Sequence, residues 1–418
     1  MDRIQGLIGI VAILAVCWAM SERRASIAWR PVLIGVGLHA LLALVLLKTP
    51  GVTAVFAGLN AGVLALQEAT RAGTTFLFGY LGGGDLPFED PGPGAAFVLA
   101  FQALPLILVV SAVTSVLFYW RVLPVVVHGV AWGLRRTMGV GGAVGLSSAA
   151  NIFVGMIEAP LFIRPYVAAM SRSELFLMMT CGMATIAGTV MVLYASFLSG
   201  VLDNALGHIL VASVISAPAS LALALMLVPE DPDVAPTEAR FKLPPPEAHN
   251  TMEAVLLGTR EGIALVVNVA AMLLVMVALV SLLNQGLGLL PPVADAPLTL
   301  ERMLGWAMAP VVWLIGIPWT EAMTAGTLMG TKTVLNELLA YAQMASLPED
   351  ALSDRSDLIM AYALCGFANF GSLGIMLGGL TAMAPERRRD IVALGGRTIL
   401  SGTLATLMTG ASVGLLTW

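Results

Sequence analysis

A chain of 418 residues that is 58% hydrophobic and only 11% charged, with a mean hydropathy of +0.90, is far from a soluble domain, in which about a quarter of residues are charged. Its net charge of −5 sits in a few loops. There is no basic block of the kind that binds nucleic acid, and the scattered histidines and cysteines show no zinc or disulfide spacing. The composition is that of an all-α integral membrane protein.

Taken in chain order, the first apolar run covers 4–20 and ends in "SERRAS". That run lacks a small-residue cleavage pattern and reads as a retained membrane helix rather than a signal peptide. A bilayer core needs about 20 apolar residues to span as a helix. Runs meeting or approaching that length follow at 31–47, 91–120, 175–202, 205–229, 262–294, 358–385 and 391–418, which predicts eight transmembrane helices in all. The segment 51–84, with Glu68 and Arg71 among apolar residues, reads as an amphipathic helix along the interface.

Two segments, 137–164 and 303–339, are apolar enough to enter the membrane but are interrupted by Gly, Ser, Pro and a carboxylate. Broken backbone at membrane depth is tolerated only where protein or a cavity surrounds it. Both are therefore expected to be re-entrant hairpins.

Arg23, Arg24, Arg30, Arg121, Arg135, Arg136 and "PERRRD" at 385–390 orient the chain with these groups in the cytoplasm. The acidic stretches at 84–92 and 347–354 then lie outside, as do both termini. A Pro-rich stretch at 229–250 reads as a cytoplasmic linker.

The halves on either side of that linker echo each other. "RSELFLMMTCGMATIAG" at 172–188 matches "RSDLIMAYALCGFANFGS" at 355–372, and each is preceded by Glu-Ala, in "MIEAP" at 156–160 and "WTEAM" at 319–323. Inverted repeats with broken helices place substrate and ion sites near the bilayer midplane.

Glu158 and Glu321 are the outstanding candidates for chemistry, because intramembrane carboxylates are functional by default. One reading is a buried pair with a nearby base, Arg164 or Lys332. The other is hydrogen bonding to a hydroxylated solute that both carboxylates meet. Asn369 and Ser372 share a helix face by their three-residue spacing and serve either as polar glue between helices or as solute ligands. Phe367 beside them reads as core or as a platform for the solute. Asn151 and Thr185, next to Gly and small residues, offer oxygen to a hard cation. No nucleophile–base constellation or metal motif accompanies the carboxylates, so an intramembrane enzyme is not expected. A passive channel is the remaining alternative, and it would show no dependence on an ion gradient.

From about 97 to 414 the chain resembles the concentrative nucleoside transporter family. The likeness is densest in "SAANIFVGMIEAPLFIRPYVAAMSRSEL", "GTKTVLNELLAY" and "RSDLIMAYALCGFANFGSLGIMLGGLTAMAPERRRDI". The resemblance implies a homotrimer in the bacterial inner membrane, each protomer moving its cargo by an elevator motion of a transport domain against a scaffold. It implies nucleoside uptake coupled to Na⁺ or H⁺, with Na⁺ as the coupling ion and no other cofactor. The implied division is scaffold helices at 1–120, a first repeat at 121–228, a linker at 229–255, a scaffold helix at 256–299 and a second repeat at 300–418.

Carried over by motif, Glu321, Asn369 and Ser372 match residues that hold ribose hydroxyls, and Phe367 matches an aromatic near the solute. Glu158 and Val190 match positions around the nucleobase. Asn151, Val154, Thr185 and Ile186 match the sodium site. Where the family reads G-Q-T-E or G-Q-S-E, this chain reads Gly155-Met156-Ile157-Glu158. An amide and a hydroxyl that meet the base are replaced by apolar groups, each lost hydrogen bond being worth on the order of 1 kcal/mol. Altered or relaxed base preference is expected, or a less polar glycoside or modified nucleoside as cargo.

Overall fold

The computed structural model describes residues 2–89, 96–156, 158–231, 234, 237, 248–293 and 296–417. Among them the chain is helical: α1 (Asp2–Ala19), α2 (Trp29–Lys48), α3 (Pro50–Phe78), α4 (Leu99–Gln102), α5 (Pro105–Tyr119), α6 (Val122–Met138), α7 (Gly142–Asn151), α8 (Glu158–Leu161), α9 (Arg164–Val167), α10 (Arg172–Ala184), α11 (Gly188–Leu198) and α12 (Ala205–Leu227) precede the linker. After it come α13 (Thr251–Leu287), α14 (Leu300–Leu314), α15 (Ala322–Val334), α16 (Glu337–Ala345), α17 (Asp354–Leu364), α18 (Phe370–Met383) and α19 (Arg388–Leu416). Most of the linker and part of the expected outer acidic loop at 84–92 lie outside the described residues.

Six stretches are long and apolar enough to cross a membrane, at Trp29–Lys48, Leu99–Tyr119, Arg172–Leu198, Ala205–Leu227, Thr251–Leu287 and Pro385–Leu416, and shorter apolar helices run over Gln5–Ala19 and Phe370–Met383. Among the described residues, the eight expected runs are mostly helical. The expected interfacial segment is one continuous helix, α3, closed by a turn at Gly79–Gly82.

Two apolar stretches, one of them a candidate span, are broken. The first stops at Thr185, runs extended through Ala187 (φ −74°, ψ 142°) and restarts as α11. The second breaks between α17 and α18, at Cys365–Asn369. The breaks meet: the Phe367 N–H donates to the Thr185 carbonyl at 3.3 Å, so each unwound backbone satisfies part of the other's exposed polarity.

The segment expected as the first hairpin holds α7 and the short α8 and α9. Pro160 and Pro165 lie in that returning leg, which is cut into two four-residue helices. The second hairpin differs from the sequence expectation of 303–339. Its first half is a separate helix, α14, ended by Gly316 at φ +114° and by Pro318. The hairpin itself is α15 and α16, turning at Leu335 and Asn336. α15 can lie close against α14 because both contribute glycine, and a Cβ on Gly326 would come within 2.7 Å of the Gly305 carbonyl.

The buried core gathers α10, α12, α17 and α19. α1 packs on α19 and α2 on α12. His39 of α2 anchors the contact, with Nδ1 at 2.8 Å from the Ile215 carbonyl and Nε2 at 2.8 Å from Ser412 Oγ. α13 packs on α5 and leaves a long apolar face exposed, with Leu274 and Leu282 on it. Outside the membrane, Glu22 ties the α1–α2 loop to α10 and α19 through Arg172 at 2.8 Å and through Arg397.

Candidate substrate and cation site

Hairpin tips and helix breaks meet in the middle of the core. At the first tip the Phe153 carbonyl accepts from the Gly188 N–H, just past the break, at 2.9 Å. Gly155 stands at φ +112°, and a Cβ there would lie 2.9 Å from both the Ala187 methyl and Glu158 Oε2. Only glycine takes this backbone conformation without strain, so the tip folds tightly enough to aim Glu158 past α11.

Each hairpin begins its returning helix with a glutamate, Glu158 in α8 and Glu337 in α16. At the second tip Asn336 caps α16, its side chain accepting from the Leu339 N–H at 2.9 Å. Glu337 is 3% exposed and its two oxygens are shared. Tyr194 Oη of α11 donates to Oε1 at 2.6 Å, and Asn369 Nδ2 donates to Oε2 at 2.8 Å. Asn369 also caps α18, accepting from the Ser372 N–H at 2.7 Å. A carboxylate has about four lone-pair sites, so Glu337 keeps capacity for further donors after these two bonds.

The carboxylate beside Asn369 is therefore Glu337, where the sequence expectation put Glu321. Glu321 sits before α15, and its Oε2 accepts from Ser353 N and Oγ, both at 3.2 Å, beside the acidic turn that starts α17. Proximity of a Glu-Ala pair to an apolar segment misdirected the expectation. The physical signal lay in "VLNEL", where an Asn cap precedes a glutamate that a helix start leaves pointing at the tip. Lys332, one expected partner for a carboxylate, is instead buried on the Ala363 carbonyl at 2.8 Å and Thr406 Oγ1 at 2.7 Å.

Glu158 is exposed and lines a cavity of about 370 Å³ together with Val154, Thr189, Phe118, Arg121 and Glu261. Met156 does not line it. That side chain is 8% exposed and packs on α10, so that a Cβ on Gly182 would be 3.0 Å from its own Cβ. Ile157 lies outside the described residues. Val190 is buried beside Thr189, and Phe367 is half-buried.

The expected cation ligands also come together. Thr185 Oγ1 donates to the Cys181 carbonyl at 2.9 Å and approaches the Asn151 carbonyl at 3.5 Å. Val154 and Ile186, the other two expected ligands, are buried. Among the described residues, Asn151 Oδ1 and Nδ2 and Ser148 Oγ, all buried, find no hydrogen-bond partner. A buried polar group left unpaired costs about 1–3 kcal/mol, and native structures keep few of them. Neutral oxygens held in a dry pocket fit a hard cation, so these residues fit Na⁺.

Family models match most of the chain: "Na+ dependent nucleoside transporter N-terminus" over residues 8–81, "Nucleoside recognition" over 100–200 and "Na+ dependent nucleoside transporter C-terminus" over 208–414. The chain is 37% identical to the uncharacterized transporter YutK of Bacillus subtilis over 99% of its own length and 100% of that protein's. It is 36% identical to human solute carrier family 28 member 3 over 98% of its length, spanning 59% of that relative. CNTnw in an inward-facing substrate-bound state superposes with a TM-score of 0.90 at 34% identity, covering 100% of this chain and 98% of that one. These relatives are transporters, not enzymes, and the chain belongs to the Na⁺-dependent nucleoside transporter family.

Proposed function

We propose that this chain is a secondary active symporter that imports nucleosides on a Na⁺ gradient, with Glu337 and Asn369 holding the ribose. The observation that carries this reading is the Tyr194–Glu337–Asn369 cluster, where a buried carboxylate is oriented by two donors and keeps lone pairs for a sugar diol. Ser372 and Phe367 border it. Thr189, on the Glu158 cavity, lies five residues before Tyr194, roughly 7.5 Å along the α11 axis. A solute lying along α11 would put its ribose at Glu337 and its base towards Glu158 and Val190.

Asn151, Val154, Thr185 and Ile186 hold the Na⁺ in this reading. The ion joins hairpin tip and helix break, so its binding closes the tip around the solute and couples the two. Glu158 is the main polar group that the hairpin side of the cavity offers the base, and the consequence is a relaxed base preference. Eight spans, two hairpins that re-enter the membrane, a homotrimer and an elevator motion complete the reading, supported by the similarity to CNTnw.

Proteoliposome uptake of uridine, cytidine and adenosine, with Na⁺ or choline outside, tests it at two pH values. Saturable uptake that requires Na⁺ supports Na⁺ symport. Uptake following only the proton gradient replaces the ion, and no saturable nucleoside uptake overturns the cargo.

A further inference from the structure

We propose that Glu261, on the α13 wall of the cavity, is a second cargo-binding residue used on the cytoplasmic side, where it receives the nucleoside as it leaves Glu158. The inference rests on the symport reading above and extends it to the opposite wall of the cavity.

The wall is built by close packing. A Cβ on Gly258 would lie 2.5 Å from the Ser111 carbonyl, and one on Gly262 would lie 3.0 Å from Leu108 Cα. α13 can therefore seat on α5 only through glycine at these two positions, which fixes its rotation. The residues that this rotation turns to the cavity are Leu257, Glu261 and Leu265, a stripe at four-residue spacing. α5 contributes Ser111, Thr114 and Ser115 beside them, so the wall is a carboxylate flanked by hydroxyls.

Glu261 lies ten residues into α13, about 15 Å from its start, between two leucines of the stripe. Its carboxylate opens to the same 370 Å³ space that Glu158 and Thr189 line from the other side, a volume within the usual range for small-molecule sites.

Sidedness follows from the rest of the lining. Arg121 and Ala248 belong to it, and the end of α5 is tied to the linker exit by Tyr119 Oη on the His249 carbonyl and Trp120 Nε1 on Thr251 Oγ1. The arginines and the linker mark the cytoplasmic end. The ligand class also follows. Two carboxylates and several hydroxyls select a neutral solute rich in N–H and O–H donors, so a base carrying an exocyclic amine gains more from Glu261 than a base carrying carbonyls.

The test is sided transport kinetics in oriented proteoliposomes, with zero-trans influx and efflux of cytidine and uridine by the wild type, Glu261→Gln and Glu261→Asp. The expected result is a cytoplasmic KM for cytidine raised at least fivefold in Glu261→Gln, a smaller rise for uridine, and an external KM within twofold of wild type for both. Glu261→Asp keeps the charge but shortens the reach, and it is expected to raise the cytoplasmic KM as well. This variant carries the test if Glu261→Gln does not assemble. A cytoplasmic KM that does not move, or one that moves equally on both faces, overturns the role of Glu261. Absence of saturable nucleoside flux in the wild type overturns instead the symport reading on which it rests.

Discussion

Asn369 and Glu337 hold each other across two elements, the second helix break and the second hairpin tip, with Nδ2 donating to Oε2 at 2.8 Å. The other end of the Asn369 amide caps α18 through the Ser372 N–H, so the orientation of one amide fixes both the restart of a broken helix and the aim of a buried carboxylate. Removing Asn369 leaves Glu337 Oε2 without this donor while Tyr194 still holds Oε1, and a buried polar atom left unpaired costs about 1–3 kcal/mol.

The orphaned Asn151 side chain makes the cation site testable apart from the solute site. Asn151→Ala deletes both unpaired atoms, so stability is expected to hold or rise slightly. The Na⁺ concentration for half-maximal uptake is expected to increase by about tenfold or more, in line with the loss of one charge-assisted ligand at about 1.5–3 kcal/mol. Na⁺ titration of uridine uptake at saturating uridine, alongside a melting curve without Na⁺, checks both halves.

Met156 faces the α10 helix, not the cavity. Met156→Gln therefore buries an amide against Gly182 without giving the base a new partner. The expected outcome is a fall in stability of about 1–3 kcal/mol with an unchanged ratio of adenosine to uridine KM. A sharpened base preference in the variant would show that this side chain reaches the solute.

Stability should also carry a pH signature at the Glu22 contact. Hydrogen bonding from Arg172 holds the Glu22 carboxyl below its ordinary 4.5, aided by the charges of Arg172, Arg397 and Arg23 and opposed by partial burial. A carboxyl depressed in the folded state contributes stability that is present above its unfolded value and is lost as pH falls through the folded one. Glu22→Gln is thus expected to melt below wild type at pH 7, by an amount set by an exposed ion-pair network of about 1 kcal/mol or less. The gap should close as pH falls from 4.5 through the lower folded-state value, as melting curves in detergent across that range would show.

The apolar helices were legible because apolar length is a one-dimensional property, and the described residues of the eight runs are mostly helical. The paired "CGMAT" and "CGFAN" motifs sit at both helix breaks, but the runs that contain them read from sequence as continuous helices, because apolar length does not show where a backbone unwinds. The second hairpin was not legible in the same way. α14 is apolar and contains Pro310, so by composition it passes for a hairpin leg, and that shifted the tip from Asn336 back to Glu321. Only packing separates the two: Glu321 answers to Ser353, whereas Glu337 answers to Tyr194 and Asn369, which lie far from it in sequence. The inward turn of Met156 was equally invisible, because a sequence does not say which side of a tight turn a side chain takes.

The most direct measurement of the central claim compares Glu337→Gln with Glu321→Gln in Na⁺-driven uridine uptake, with surface expression and melting temperature measured for each. Glu337→Gln keeps the shape and loses the charge that the ribose diol and Tyr194 address, and uptake is predicted to fall by at least a hundredfold while the protein still folds. Glu321→Gln touches only the Ser353 turn, and uptake is predicted to stay within about threefold of wild type, the scale of one exposed hydrogen bond. Robust uptake by Glu337→Gln, or its loss in Glu321→Gln alone, would contradict the placement of the ribose at Glu337.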